Sequence, residues 1–282
     1  MKVVVKLYKR KDKKRMKVCA WNIGMAATIP SNHGYKLLDW VIDEIVREQP
    51  DCIVLTEFVA ARGIEHYFDV LEKNHYHWFL STATKNNGIL IALKSCSFNF
   101  EDTFDYNKFT VKNGNDVLKG KDLPNFYEIK VNWNNKPLSI IGVRIKCDIT
   151  KTKEDYQTKQ FEALDDYLSE QKHNVICVGD FNAFWADRWN KTSNTKLPKT
   201  AKNGYHIHTP RYNSNRIDGY SYIMPDGIKV QLDHLLTNID QNITVEYDWG
   251  FLKHAGYNNV TAESVNKPKG MPDHAILKAT ID

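Results

Sequence analysis

Short apolar runs that stop on a polar residue recur along this chain, and they alternate with longer segments of helical spacing. The clearest run is VICVGDFN, Val175–Asn182. Val175 to Gly179 are apolar or small, as a strand buried on both faces requires, and Asp180, Phe181 and Asn182 follow at once. Other runs end in the same way: Lys17–Asn22 on Asn22, Cys52–Thr56 before Glu57, and Leu138–Arg144 on Arg144. Asp233 lies inside Lys229–Leu236, and Asp273-His274 precedes a final strand at Ala275–Ile281. In α/β sheets, ligands and catalytic groups collect at the C-terminal ends of strands.

Between these runs, Leu37, Leu38, Val41, Ile42, Ile45 and Val46 fall on one helical stripe that Pro50 closes. Ile64–Asn74 reads as an amphipathic helix, and Lys153–Gln171 as a long one with Phe161, Leu164 and Leu168 on one face. Turn signals predict three hairpins: Trp78–Ser81 with Gly88–Leu93 across Asn86–Gly88, Phe126–Trp133 with Leu138–Arg144 around Asn134-Asn135, and Gly219–Ile223 with Lys229–Leu236 around Pro225-Asp226-Gly227. Ile243–Trp249 is a further strand. Gly24–Gly34 and Gly250–Pro268 read as loops, and residues 94–125 as an edge strand with loops. Helices between hairpins predict two packed sheets with a helical layer outside each. With no internal repeat and no linker, residues 16–282 form one expected domain behind an arm at 1–15.

Composition narrows this picture. In 282 residues, 42% hydrophobic and 12% aromatic, there is enough apolar surface for a sizeable core, and no apolar run reaches the length of a membrane span. The five cysteines (Cys19, Cys52, Cys96, Cys147, Cys177) form no CxxC pair, and no secretory signal is legible, so an intracellular, cytoplasmic location is expected. The net charge of +5 is unevenly spread. Residues 1–15 hold eight basic residues against Asp12, a local +7 that leaves the remainder at −2. Between Asp187 and Arg216, seven basic residues face one acid, a local +6 immediately after VICVGDFN.

The polar residues at strand ends are Asn22, Glu57, Arg144, Asp180, Asn182, Asp233, Asp273 and His274. Hydrolysis of a phosphoester needs a cation to offset charge on the phosphoryl oxygens, a positioned water and a proton acceptor. Carboxylates such as Glu57 and Asp273 suit a hard ion like Mg²⁺, and a His held by a carboxylate can stabilise developing charge. In this order CAWNI (Cys19–Ile23), DCIVLTE (Asp51–Glu57), NNGILIA (Asn86–Ala92), VGDFNAFW (Val178–Trp185), QLDHLL (Gln231–Leu236) and PDHAIL (Pro272–Leu277) resemble the motifs of the endonuclease/exonuclease/phosphatase superfamily. The resemblance spans nearly the whole chain from Val18 onward.

That resemblance implies an α/β (α+β) fold, a four-layer α/β/β/α sandwich with the site at one end of the paired sheets. It implies that Glu57 is a ligand for Mg²⁺ (or Mn²⁺), with Asn22 beside it and Asp273 as a further metal-side carboxylate. Asp180 would activate or align the attacking water, Asn182 would orient the water or the phosphate, and Asp233 would hold His274 toward the scissile phosphate. One position departs from the family: where its branches carry a His or a Tyr, this chain has Arg144, which can clamp a phosphate but cannot relay protons. The expected activity is a metal-dependent phosphodiesterase acting on nucleic acid, with Arg188, Lys191, Arg211 and Trp185 beside the backbone. A phosphohydrolase of a small or lipid-linked phosphate is the alternative, and a non-catalytic module of the same fold is a third reading. No membrane association and no obligate protein partner are expected. His206 and His208 in YHIHTP have zinc-like spacing, but strand alternation puts both on one exposed face.

Overall fold

The computed structural model describes residues 15–24, 28–31, 34–81, 88–105, 111–113, 116–118, 123–146, 153–185, 204–211, 213, 215–266 and 271–282. The first sheet comprises β1 (Met16–Asn22), β4 (Cys52–Phe58), β5 (Tyr76–Leu80), β6 (Gly88–Lys94), β16 (Ile243–Asp248) and β17 (Ile276–Ile281), in the order β16-β17-β1-β4-β6-β5. The second comprises β7 (Asn99–Asp105), β10 (Asn125–Trp133), β11 (Lys136–Arg144), β12 (Asn174–Trp185), β13 (His206–His208) and β15 (Lys229–Thr237), in the order β13-β15-β12-β11-β10-β7. The short strand β14 (Tyr222–Ile223) pairs with β15 outside that path. Both sheets are mixed: β1 runs parallel to β4 and β11 parallel to β12, while the other pairings are antiparallel.

The two sheets stack face to face. A Cβ on Gly142 of β11 would lie 2.6 Å from Ile89 Cγ2 and 2.9 Å from Val54 Cγ1, so side chains of the first sheet fill the space that Gly142 leaves open. Gly142→Ala would overpack this contact at a cost of about 1–3 kcal/mol. Ile129, Val131, Leu138, Ile140, Ile176, Val178 and Leu235 of the second sheet join Val18, Val54, Ile89 and Ile91 of the first in one core. The alternate residues Phe126, Ile141, Val143, Val175, Cys177 and Leu236 pack instead with Phe161, Leu164 and Leu168 of α3 (Lys153–Ser169). On the other side, Trp21 of β1 meets Trp40 of α1 (Asp39–Arg47) edge to face, and α2 (Ile64–Lys73) lies beside α1 and β5. Two mixed sheets between helices are the expected sandwich.

The hairpin around Asn134-Asn135 forms as read, and Asn134 and Asn135 both take positive φ, as a two-residue turn demands. Around Pro225-Asp226-Gly227 the first arm is shorter than expected: only Tyr222 and Ile223 pair with β15, and Gly219 closes a 3₁₀ turn, Ile217–Gly219. Between Gly24 and Gly34, where a loop was expected, β2 (Thr28–Ser31) pairs with β3 (Gly34–Leu37). Residues 94–125 hold β7 and a small hairpin of β8 (Val111–Asn113) with β9 (Asp116–Leu118). The expected loop after residue 250 contains a 3₁₀ turn, Gly250–Ala255, and the short helix α4 (Ala262–Asn266). Asn86 and Asn87 of the first expected hairpin turn lie outside the described residues, as does the arm through residue 14. Among the described residues, no helix is long and apolar enough to cross a membrane.

Candidate active site

Register brings the polar strand ends together. Across the second sheet, Asn125 of β10 is the Cα partner of Arg144 of β11, Arg144 of Asp180 on β12, and Asp180 of Asp233 on β15. Partners on adjacent strands share a face, so these four residues form one row, on the face turned to the first sheet. There Asn22, at the end of β1, donates from Nδ2 to Asp180 Oδ2 at 2.9 Å and lies 3.4 Å from Glu57 Oε1. Its Oδ1 accepts the Gly24 amide at 2.9 Å, which fixes the orientation of the side chain.

Two irregularities aim the remaining groups. Alternation along β4 would send Glu57 to the helix side with Ile53 and Leu55. A bulge between Leu55 and Phe58 instead puts Glu57 at φ 53°, and its Oε1 meets Arg144 Nη2 at 2.5 Å. On β12, the six residues from Asp180 to Trp185 lie opposite only three on β15, from Asp233 to Gln231. The strand bends there through Asn182 at φ 47°. Asn182 donates from its backbone N–H to Asp180 Oδ1 and from Nδ2 to Asp180 Oδ2, both at 2.8 Å, and again from Nδ2 to the Ile145 carbonyl at 2.8 Å. Gly179 makes the bend possible: its φ is 146°, and a Cβ there would sit 2.1 Å from the Val143 carbonyl oxygen. Left-handed backbone at two non-glycine residues is a concentration of strain of the kind found at functional sites.

Asp233 and His274 form a second unit beside Asp180. His274 Nδ1 is 2.8 Å from Asp233 Oδ2, and both side chains are buried. Ser221 Oγ accepts the Leu232 and Asp233 amides, the Tyr247 hydroxyl donates to the Asp233 carbonyl at 2.5 Å, and Trp21 Nε1 donates to the His274 carbonyl at 2.9 Å. The Tyr222 ring lies 4.9 Å from the His274 ring. Ligand atoms of Asp180, Asp233 and His274 all lie within 4.8 Å of one another.

No protein-family model matches the chain, and no curated protein matches it in sequence. Solved structures do. A D. rerio TDP2 complexed with single strand DNA product is 14% identical over 95% of this chain and 99% of its own, with a TM-score of 0.59. An AP endonuclease from Archaeoglobus fulgidus is 15% identical over 95% and 99%, with a TM-score of 0.62. A 3'-5' exonuclease from Neisseria meningitidis is 15% identical over 95% and 100%, with a TM-score of 0.63. All are members of one superfamily. The chain has the endonuclease/exonuclease/phosphatase fold.

At this end of the superfamily fold the charges are uneven. Glu57, Asp180, Asp233 and Asp273 bring four carboxylates, against the guanidinium of Arg144 and the imidazole of His274. Burial pushes the Asp180 carboxyl up to about 7; His274 and Arg144 oppose the rise, and Asp233 and Glu57 add to it. Burial likewise raises Asp273, which keeps part of its surface exposed. Burial alone would depress His274, but the charge and hydrogen bond of Asp233, with Asp180 and Asp273 behind, raise it to about 10. A protonated imidazole is a poor metal ligand, so the close trio of Asp180, Asp233 and His274 differs in kind from the ligand set that the resemblance implies.

The expected substrate groups are less gathered. Arg188 and Lys191 lie outside the described residues, as does the side chain of Trp185. Arg211 is exposed and lines a cleft of about 560 Å³ with Pro210, Asn213, Arg216, Asp218 and Val245. Gln231 ties that segment to β15, donating to the Pro210 and Gly219 carbonyls two residues from Asp233. His206 and His208 sit on β13 with ring centroids 6.5 Å apart, and no third ligand joins them among the described residues. Asn125, Ser221, Tyr222 and Tyr247 were not expected at the site.

Proposed function

We propose that the chain is a divalent-metal-dependent phosphodiester hydrolase acting on nucleic acid. The observation that carries this reading is the setting of Asp180. Its carboxylate is 1% exposed, accepts three hydrogen bonds from Asn22 and Asn182, and lies between Arg144 and the Asp233–His274 pair. A carboxylate fixed this way, with its pKa raised toward neutrality, is suited to align a water and accept its proton. Asn182 would orient the water or the phosphate. Asp233 would hold His274 protonated, so that the imidazolium stabilises charge developing on the phosphoryl oxygens. Arg144 would clamp a non-bridging oxygen through its fork of donors.

The donor set suits a hard cation. Four carboxylates face two cationic side chains, so the site is short of positive charge. Glu57, with Asn22 and Asp273, would hold Mg²⁺ or Mn²⁺. When bound, such an ion would neutralise phosphate charge. The substrate class is supported by the neighbours, which include an AP endonuclease, a 3'-5' exonuclease and a TDP2 complexed with single strand DNA product, and by the basic segment that holds Arg188, Lys191 and Arg211 and follows Trp185 in sequence.

The test is to incubate the full chain with plasmid, single-stranded oligonucleotide, abasic duplex and inositol phosphates, each with Mg²⁺ or with EDTA. Cleavage of a nucleic acid that EDTA abolishes is the expected result. Turnover of inositol phosphates alone would move the reading to small phosphates, and no turnover of any substrate would overturn it.

A further inference from the structure

Asn125 shares the row of Arg144, Asp180 and Asp233, yet nothing so far gives it a role. It is the first residue of β10 and the Cα partner of Arg144. Alternation puts it on the inner face with Tyr127, Ile129 and Val131, whereas Phe126 packs toward α3. Its side chain is 2% exposed, and its Nδ2 has no hydrogen-bond partner among the described residues. Beside it, Arg144 Nε is in the same condition, 3.9 Å from Asp180 Oδ2.

Two adjacent buried donors without acceptors are costly, and native structures retain few of them. The carboxylate oxygens of the row bond other donors. Asp180 Oδ1 takes the Asn182 amide, Asp180 Oδ2 takes both asparagine side chains, and Glu57 Oε1 takes Arg144 Nη2. An apolar side chain at residue 125 would continue the inner face of β10 without this cost. A donor kept there calls for an acceptor that arrives with a ligand, and the guanidinium next to it selects an anionic one.

We propose that Asn125 is a substrate-binding residue, donating together with Arg144 to a non-bridging oxygen of the phosphodiester beside Asp180. The assignment rests on the nuclease reading above. It makes the β10–β11 edge of the row the phosphate side of the site. The Asp233–His274 edge is then left for the chemistry at the scissile bond.

The full chain and its Asn125→Leu and Asn125→Asp variants would be compared by thermal melting and by anisotropy of a fluorescein-labelled single-stranded oligonucleotide in EDTA. KM would be measured in Mg²⁺. Asn125→Leu removes the unpaired Nδ2 donor at similar volume, so its Tm should equal or exceed that of the wild type. Its Kd and KM should rise about tenfold, the factor carried by one hydrogen bond to a charged oxygen. Asn125→Asp replaces a donor with a repelling acceptor and should bind more weakly still. That ordering of wild type, Leu and Asp in binding, against Leu at or above wild type in Tm, is not what a structural asparagine would give. Asn125→Leu melting well below wild type with unchanged Kd would overturn the proposal, as would wild-type Kd and KM in both variants. If the wild type neither binds nor cleaves the oligonucleotide, the nuclease reading fails and takes this proposal with it. If the wild type cleaves and the variants match it, only the role of Asn125 fails.

Discussion

On β15, Asp233 faces the first sheet and its neighbour His234 faces the α3 side, where its ring lies 5.7 Å from that of Phe181. Both faces hold a fully buried histidine at this level, and the two differ in charge. Burial lowers His234 to about 4, only partly offset by its bond to the Ala183 carbonyl at 2.7 Å and by Asp233. His274 is buried as deeply, but the carboxylate 2.8 Å from its Nδ1 raises it to about 10. Both rings are buried, so the carboxylate partner decides the charge. The outer face uses its histidine as packing, and the inner face holds its histidine as a cation beside Asp180.

Removing the inner cation should have the largest effect. His274→Ala should lower turnover by at least about 10³-fold, because on the proposed reading its charge acts where phosphoryl charge develops, while KM changes far less. Turnover within tenfold of wild type would remove His274 from the chemistry. Glu57→Gln comes next: it takes one anionic oxygen from the site and should weaken Mn²⁺ binding by at least about tenfold, with activity partly restored at high metal. Identical titration curves for wild type and variant would strike Glu57 from the ligand set.

The outer histidine should be felt in stability and not in rate. The folded-state pKa of His234 lies below its unfolded value of 6.5, so the unfolded chain binds the extra proton more readily. Stability is then fully present above pH 6.5 and is lost as pH falls through 6.5 toward 4, by about 3 kcal/mol in all. His234→Gln should flatten that part of the urea-midpoint profile, and an unchanged slope would show that the histidine is not the group titrating. His274 has the opposite sign: its contribution is full below 6.5 and is lost as pH rises through about 10. The smallest effect on chemistry belongs to the basic segment between Asp187 and Arg216. Neutralising Arg188, Lys191 and Arg211 together should raise KM for long oligonucleotides and reduce the log–log salt slope by about 0.7–0.9 per lost phosphate contact, with saturated turnover nearly unchanged. An unaltered salt slope would exclude the segment from backbone binding.

Much of this was legible in the chain. The strands that carry Asn22, Glu57, Arg144 and Asp180 each announced themselves by an apolar run stopping on a polar residue, although β4 runs on to Phe58 and β12 to Trp185, and the ordered motifs pointed to the family fold. One further residue was within reach. A two-residue turn at Asn134-Asn135 forces Arg144 opposite Asn125, by counting outward along the hairpin. The parallel register of β11 on β12 and the pairing of β12 with β15 join segments far apart in sequence, and no local pattern encodes them. Nor does composition reveal the bulge at Glu57, where positive φ falls on a residue other than glycine and reverses the side its carboxylate faces. The helix-like and hairpin pieces inside expected loops are short, and short elements rest on tertiary packing more than on propensity.

The most direct measurement sets the two faces against each other: single-turnover cleavage of one labelled oligonucleotide in Mg²⁺ by wild type, Asp180→Asn and His234→Gln, with a thermal melt of each. Asp180→Asn should be slower by at least about 10³-fold while melting within about 5 °C of wild type, and His234→Gln should cleave at close to the wild-type rate. Near-wild-type cleavage by Asp180→Asn, or a loss in His234→Gln as deep as in Asp180→Asn, would contradict an inner-face active site centred on Asp180.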